Sequence, residues 1–212
     1  PGPDCTSILG SALTLKSGSL GLYDERLTFS GTLVLPLGFP TTWDPTAEGV
    51  TALFDFLGTG QLVIDALPAS SGKCRRADGW RTNTRGSNYR NYSFYVPPAC
   101  SSFGPGRFRM KLKTNRIPID GTIPIKLSIR DAGISSFPPL LNVAIFLGPT
   151  AVGGEPRACM AAALTCQGSV VEGKATCQYP TPASRRLALQ IRQPPISPRT
   201  LQLTEGATER IE

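Results

Sequence analysis

The sequence contains no histidine. That excludes His-based catalytic triads, His-ligated zinc or haem, and any imidazole proton shuttle. Charge is also sparse: 17% of residues are charged and 40% are hydrophobic, enough for a buried core and too little charge for a solvated, disordered chain. No stretch approaches the ~18–20 uncharged apolar residues of a helical membrane span. Long helices are disfavoured by the 22 Gly and 20 Pro among 212 residues, since about one residue in five turns or breaks the backbone. The length suits one large all-β domain or two small domains.

Six cysteines, Cys5, Cys74, Cys100, Cys159, Cys166 and Cys177, form an even set with wide, irregular spacing. No pair has the two-residue gap of a zinc knuckle or a redox motif, and no His could complete a mixed metal site. Three disulfides in an oxidising compartment are therefore expected. Six cysteines allow 15 connectivities. We favour Cys74 with Cys100, closing the basic segment between them, and Cys5 with one of the last three. The chain opens Pro1-Gly2-Pro3-Asp4-Cys5, which reads as a mature secreted form with its signal peptide removed. Asn91-Tyr92-Ser93 has the form of a glycosylation acceptor, but so short a pattern recurs by chance.

Period-two alternation dominates what is present. Leu13 and Leu15, Leu27 and Phe29, Val50 to Phe56, Leu62 to Ala66, Tyr92 to Val96, Phe108 to Leu112 and Ile123 to Ile129 recur at every second position. Leu141 to Leu147 is a continuous apolar run that suits a strand buried on both faces. Pro124, inside an otherwise clean strand, predicts an edge position or a bulge. Around Ala161-Ala162-Ala163 a helix of one or two turns stands as an alternative over Arg157 to Leu164. About ten short strands predict an all-β fold, an antiparallel β-sandwich of Greek-key or jelly-roll type, disulfide-stapled and with an extended C-terminal strand or tail. The expected organisation is an N-terminal extension over 1–11, a sandwich over 12–150, a cysteine-pinned hairpin packed on it over 151–179, and a Pro-rich tail over 180–212.

The stretch from Leu33-Val34-Leu35 through Asp55, Leu62-Val63-Ile64, Trp80 and the Gly106-to-Lys113 strand resembles β-sandwich modules of large secreted bacterial proteins. The cluster Cys159, Cys166 and Cys177 after Phe146-Leu147-Gly148 adds to that resemblance, which covers residues 12–177 and rests on hydrophobic spacing. Those modules are functionally uncharacterised, so the resemblance implies a fold and no site residues.

Charge is unevenly distributed. Residues 1–72 carry seven acids against two cations, net −5; residues 73–130 carry thirteen cations against two acids, net +11; the remainder is near balance at +1. Of the 22 cations 16 are Arg, the residue suited to bidentate carboxylate or phosphate contacts. Alternation places Arg107, Arg109, Lys111 and Lys113 in one row opposite Phe108, Met110 and Leu112, a candidate basic face. Trp80, Tyr89 and Tyr92 with Arg85 are a candidate ligand platform, because Arg interleaved with aromatics suits anionic glycans or single-stranded nucleic acid. The alternative for Trp80 is a place in the core. Acidic strands of the first third could also neighbour the basic strands and cancel them pair by pair.

No catalytic residue emerges. Without His a nucleophilic Ser or Cys lacks its usual base, and Asp44, Glu48, Asp55 and Asp65 read as surface carboxylates. The Asp44-to-Gly49 loop lacks the dense acids of a calcium site, so neither metal nor cofactor is expected. The tail is different: Leu187, Leu189 and Ile191 alternate with Arg186, Ala188, Gln190 and Arg192, followed by Ile196, Leu201 and Leu203. That pattern suits a strand donated to a neighbouring subunit. The expected function is thus a secreted structural subunit of an extracellular or cell-surface filament, not an enzyme, joined to copies of itself or to other envelope proteins by strand addition and by acidic and basic faces. The alternative is a module binding carbohydrate or a polyanion such as an anionic glycan; nucleic acid is disfavoured in a disulfide-bonded secreted protein.

Overall fold

The structure is a computed structural model that describes residues 5–16, 25–57, 60–92, 95, 97, 99–100, 106–114, 121–131, 134, 139–148, 156–169 and 174–179. Among them are eleven strands: β1 (Thr6–Lys16), β2 (Arg26–Val34), β3 (Val50–Asp55), β4 (Gln61–Ala66), β5 (Gly79–Asn83), β6 (Gly86–Asn91), β7 (Arg107–Leu112), β8 (Thr122–Arg130), β9 (Leu140–Leu147), β10 (Ala158–Ser169) and β11 (Lys174–Gln178). One short helix, α1 (Pro45–Glu48), is capped by Asp44, whose carboxylate accepts from the Thr46 N–H at 2.8 Å. No helix among the described residues is long and apolar enough to cross a membrane.

The fold is all-β. The strands form one sheet in the order β4-β3-β9-β10-β11-β1-β2-β8-β7-β6-β5, antiparallel apart from a short parallel pairing of Thr6 and Ser7 on β1 with Met160 and Ala161 on β10. Gly10, with φ +57°, and a register shift between Leu9 and Ala12 turn β1 so that its second half runs beside β11 instead.

Alternation decides what faces inward. Leu13, Leu27, Phe29, Phe54, Ile64, Met110, Leu127, Ile145 and Leu164 are all fully or almost fully buried on one face of the sheet. A sheet that is apolar on one side must bury that side, and here it does so by rolling up. Phe29 on β2 and Phe54 on β3 stand five places apart in strand order, yet their rings meet edge-on at 5.7 Å. At the two ends of the sheet, Trp80 on β5 donates its indole N–H to the Leu67 carbonyl, just past β4, at 2.7 Å. The sheet is therefore nearly barrel-shaped, with a packed interior.

Three disulfides lock it. Cys74 pairs with Cys100, the pairing expected from the basic segment, Cys5 with Cys159, and Cys166 with Cys177. The first strand is thereby stapled to β10 at the point where the two run parallel. Cys166 and Cys177 are direct cross-strand partners.

Three local expectations are corrected. Residues Ala158 to Leu164 are strand, each paired with β9 from Leu147 to Leu141; the central position between β9 and β11 outweighs the helical propensity of three alanines. Pro124 lies on β8, which is an interior strand between β2 and β7. It is tolerated because its carbonyl accepts the Lys113 N–H, one residue past the end of β7, so its missing N–H also points toward the end of that neighbour. The hairpin expected to pack onto the sheet, β10 and β11, stands within the sheet between β9 and β1.

Candidate anion-binding face

The outward face of β5 to β8 is where the charge concentrates. These four strands carry seven Lys and Arg and no Asp or Glu. On β7 Phe108, Met110 and Leu112 are buried, and Arg107, Arg109 and Lys111, with Lys113 just beyond, point the other way, as alternation requires. Two glycines position this strand and its neighbour. At Gly106 (φ +116°) a Cβ would lie 2.5 Å from the Arg130 carbonyl oxygen, and at Gly86 (φ +131°) 2.2 Å from that of Leu112. Any side chain at either position would push β7 away from β8 or β6 from β7.

The rows across the sheet are like-charged instead of paired. Arg107 stands opposite Arg130, Arg130 opposite Arg26, Arg26 opposite Lys16, and Lys16 opposite Lys174. Five cations on five adjacent strands, all exposed, thus line one rim of the sheet over roughly 19 Å at ordinary strand spacing. Asp131 answers one end, receiving the Arg107 guanidinium at 2.6 Å. Further in, Arg90 stands opposite Arg109 and Lys111 opposite Lys126. Lys111 feels this directly: first Arg109, then burial, then Lys126 and Arg90 hold its ammonium below the usual lysine range. Among the described residues no acid is the cross-strand partner of these cations, as the pairwise cancellation that was one of the expectations from sequence would require; Asp55 and Asp65, on β3 and β4, stand opposite Gln61, Asn142 and Thr51 instead.

The expected aromatic platform is not a single exposed row. Tyr89 is buried and faces inward, stacked on Phe108 at 5.6 Å, and Trp80 packs edge-on against it at 5.2 Å. Tyr92 is exposed at the end of β6, and Arg85 sits exposed in the β5–β6 turn, where its N–H donates to the Asn83 side chain. Burial pushes the Tyr89 phenol up to about 12; Asp78 adds to the rise, a hydrogen bond from the Leu67 backbone opposes it, and Asp65 adds a little. Trp80 and Tyr89 thus close the seam of the sheet. Asp55 points away from the core formed by Phe54 and Phe56. Among the described residues no three His, Cys, Asp or Glu are grouped to hold a metal ion. Leu187, Leu189, Ile191, Ile196, Leu201 and Leu203 lie outside the described residues, as do Phe94 and Val96.

The rows escaped sequence reading because strand order was unknown. Lys16, Arg26, Arg130 and Lys174 come from distant points in the chain, and only topology makes them neighbours. No protein-family model, curated protein or solved structure matches this chain.

Proposed function

We propose that this protein is an extracellular module that binds an anionic glycan along its basic face. The observation that carries the reading is the rim row Lys174, Lys16, Arg26, Arg130 and Arg107. Like charges placed directly opposite one another destabilise a sheet, so a fold that keeps five in line gives up stability that a bound polyanion would restore. Three disulfides fit an oxidising, extracellular setting, where such glycans are found. The contact of Phe29 with Phe54 between strands distant in order supports a two-layer, sandwich-like description of the rolled sheet. The test is retention on immobilised heparin of Lys16→Gln/Arg26→Gln/Arg130→Gln, with folding checked by circular dichroism. Elution at clearly lower salt than the parent is expected; unchanged elution of a folded variant removes the rim from the reading.

A second reading, a subunit that polymerises, is favoured by the opposite outer face. There Val63, Leu53, Ala144 and Ala161 form an apolar row across β4, β3, β9 and β10, four strands without a single Lys or Arg; Val63 is exposed, Leu53 and Ala161 are half-buried and Ala144 is buried. Sedimentation of the parent and of a chain lacking residues 185–212 tests it. Assembly that weakens on deletion supports strand donation by the tail, and unchanged assembly removes the tail.

A further inference from the structure

One row in from the rim of the basic face, Arg90 on β6 and Arg109 on β7 stand directly opposite each other. The Nε–H group of each is buried, and neither has a hydrogen-bond partner among the described residues. A buried donor on a charged group is costly to leave unmade, and two of them on facing like charges cost more. Arg107, on the same strand and face, shows how such a guanidinium is satisfied: its Nε and Nη2 both donate to Asp131 Oδ2, at 2.9 and 2.6 Å. Among the described residues no acid pairs with Arg90 or Arg109 in the same way. Arg109 instead reaches Asn88 Oδ1 through Nη2, at a long 3.3 Å. Ser128 is the cross-strand partner of Arg109 on β8, and Lys111 that of Asn88. The other cross-strand partners of the pair are Gly79, opposite Arg90, and Ser128, and neither is an acid.

We propose that Arg90 and Arg109 form an anchor for a sulfate ester of the bound glycan, the oxyanion lying between the two guanidinium edges with Lys111 beside it. The inference rests on the glycan-binding reading and names the group recognised at its strongest point. Three acceptor oxygens in tetrahedral array can serve two guanidinium edges at once, whereas a carboxylate offers two oxygens in one plane. The guanidinium fork is needed for this, since an ammonium supplies charge without the side-on pair of donors.

The test follows the arginine Nε–H resonances of the whole protein, labelled with nitrogen-15, as sodium sulfate is added, with sodium chloride at equal ionic strength as the control. Two resonances, identified by their loss in Arg90→Lys and Arg109→Lys, are expected to shift saturably with sulfate and not with chloride. Uniform small shifts of all arginines, or none, overturn the anchor. In parallel, Arg90→Lys/Arg109→Lys keeps the charge and is expected to bind heparin about tenfold more weakly, the effect of losing one charge-assisted hydrogen bond. Parent-like heparin affinity in that double variant overturns the anchor while leaving the rim reading intact. Chemically desulfated heparin, or polyphosphate, binding the parent as tightly as heparin does overturns the assignment to a sulfate ester.

Discussion

On their inner surfaces the two halves of the sheet are alike. Strands β5 to β8 bury Tyr89, Phe108, Met110, Ile125 and Leu127, just as β3, β4, β9 and β10 bury Phe54, Ile64, Ile145 and Leu164. On their outer surfaces they are opposites. The first group presents seven cations and no acid; the second presents no cation, two aspartates and an apolar row. Folding constrains the inner surface by burial and leaves the outer one open, so burial does not account for the outer difference.

The largest expected effect concerns the staple that ties β1 to β10. Replacing both Cys5 and Cys159 by Ala releases a loop of 154 residues and is expected to cost about 4–5 kcal/mol on the chain-entropy account. Denaturant unfolding reads it, and a loss under about 1 kcal/mol would mean that β1 holds to β10 without its staple. The shared interior comes next. Phe54→Ala in one half and Phe108→Ala in the other should each cost about 3–5 kcal/mol. If only one of them is that costly, the halves do not share one core.

Outer-face changes should be small and opposite to the usual sign. Lys126→Ser removes the like charge facing Lys111 and should raise stability by about 0.2–1 kcal/mol at low salt, the gain shrinking as salt is added. A loss of stability would mean that the row is already neutralised within the protein. The seam supplies an effect seen only at high pH. Because the folded chain holds the Tyr89 proton up to about 12 while an unfolded tyrosine releases it near ~10, stability should fall as pH rises through that interval and then level off. Tyr89→Phe should flatten the fall; an unchanged slope would place the phenol in water.

Asp65, on the edge strand β4 opposite Thr51 of β3, follows the same sign for the same reason. Burial raises its carboxyl above the usual aspartate range, and the 2.7 Å hydrogen bond from Thr51 only partly offsets this. Both Tyr89 and Asp65, which flank the seam, therefore hold their protons more tightly in the folded protein than in water. Here burial, not alternation, sets the chemistry.

Period-two alternation by itself determined most of the strands, which side of each is buried, and the exposed row on β7, because side-chain direction in a strand is a local property. Cysteine count and spacing likewise pointed to three disulfides, and the charge between Cys74 and Cys100 to one of the pairs. Tertiary structure alone decided which strands are neighbours. That choice set Lys16, Arg26 and Arg130 in one line, made Ala158 to Leu164 a strand, placed Pro124 inside the sheet at a neighbour's end, and turned Trp80 and Tyr89 from a surface platform into the closure of a seam. The physical reason is common to all four: a cross-strand partner is fixed by how the sheet rolls to cover its apolar face, and residues far apart in the chain carry no local mark of it.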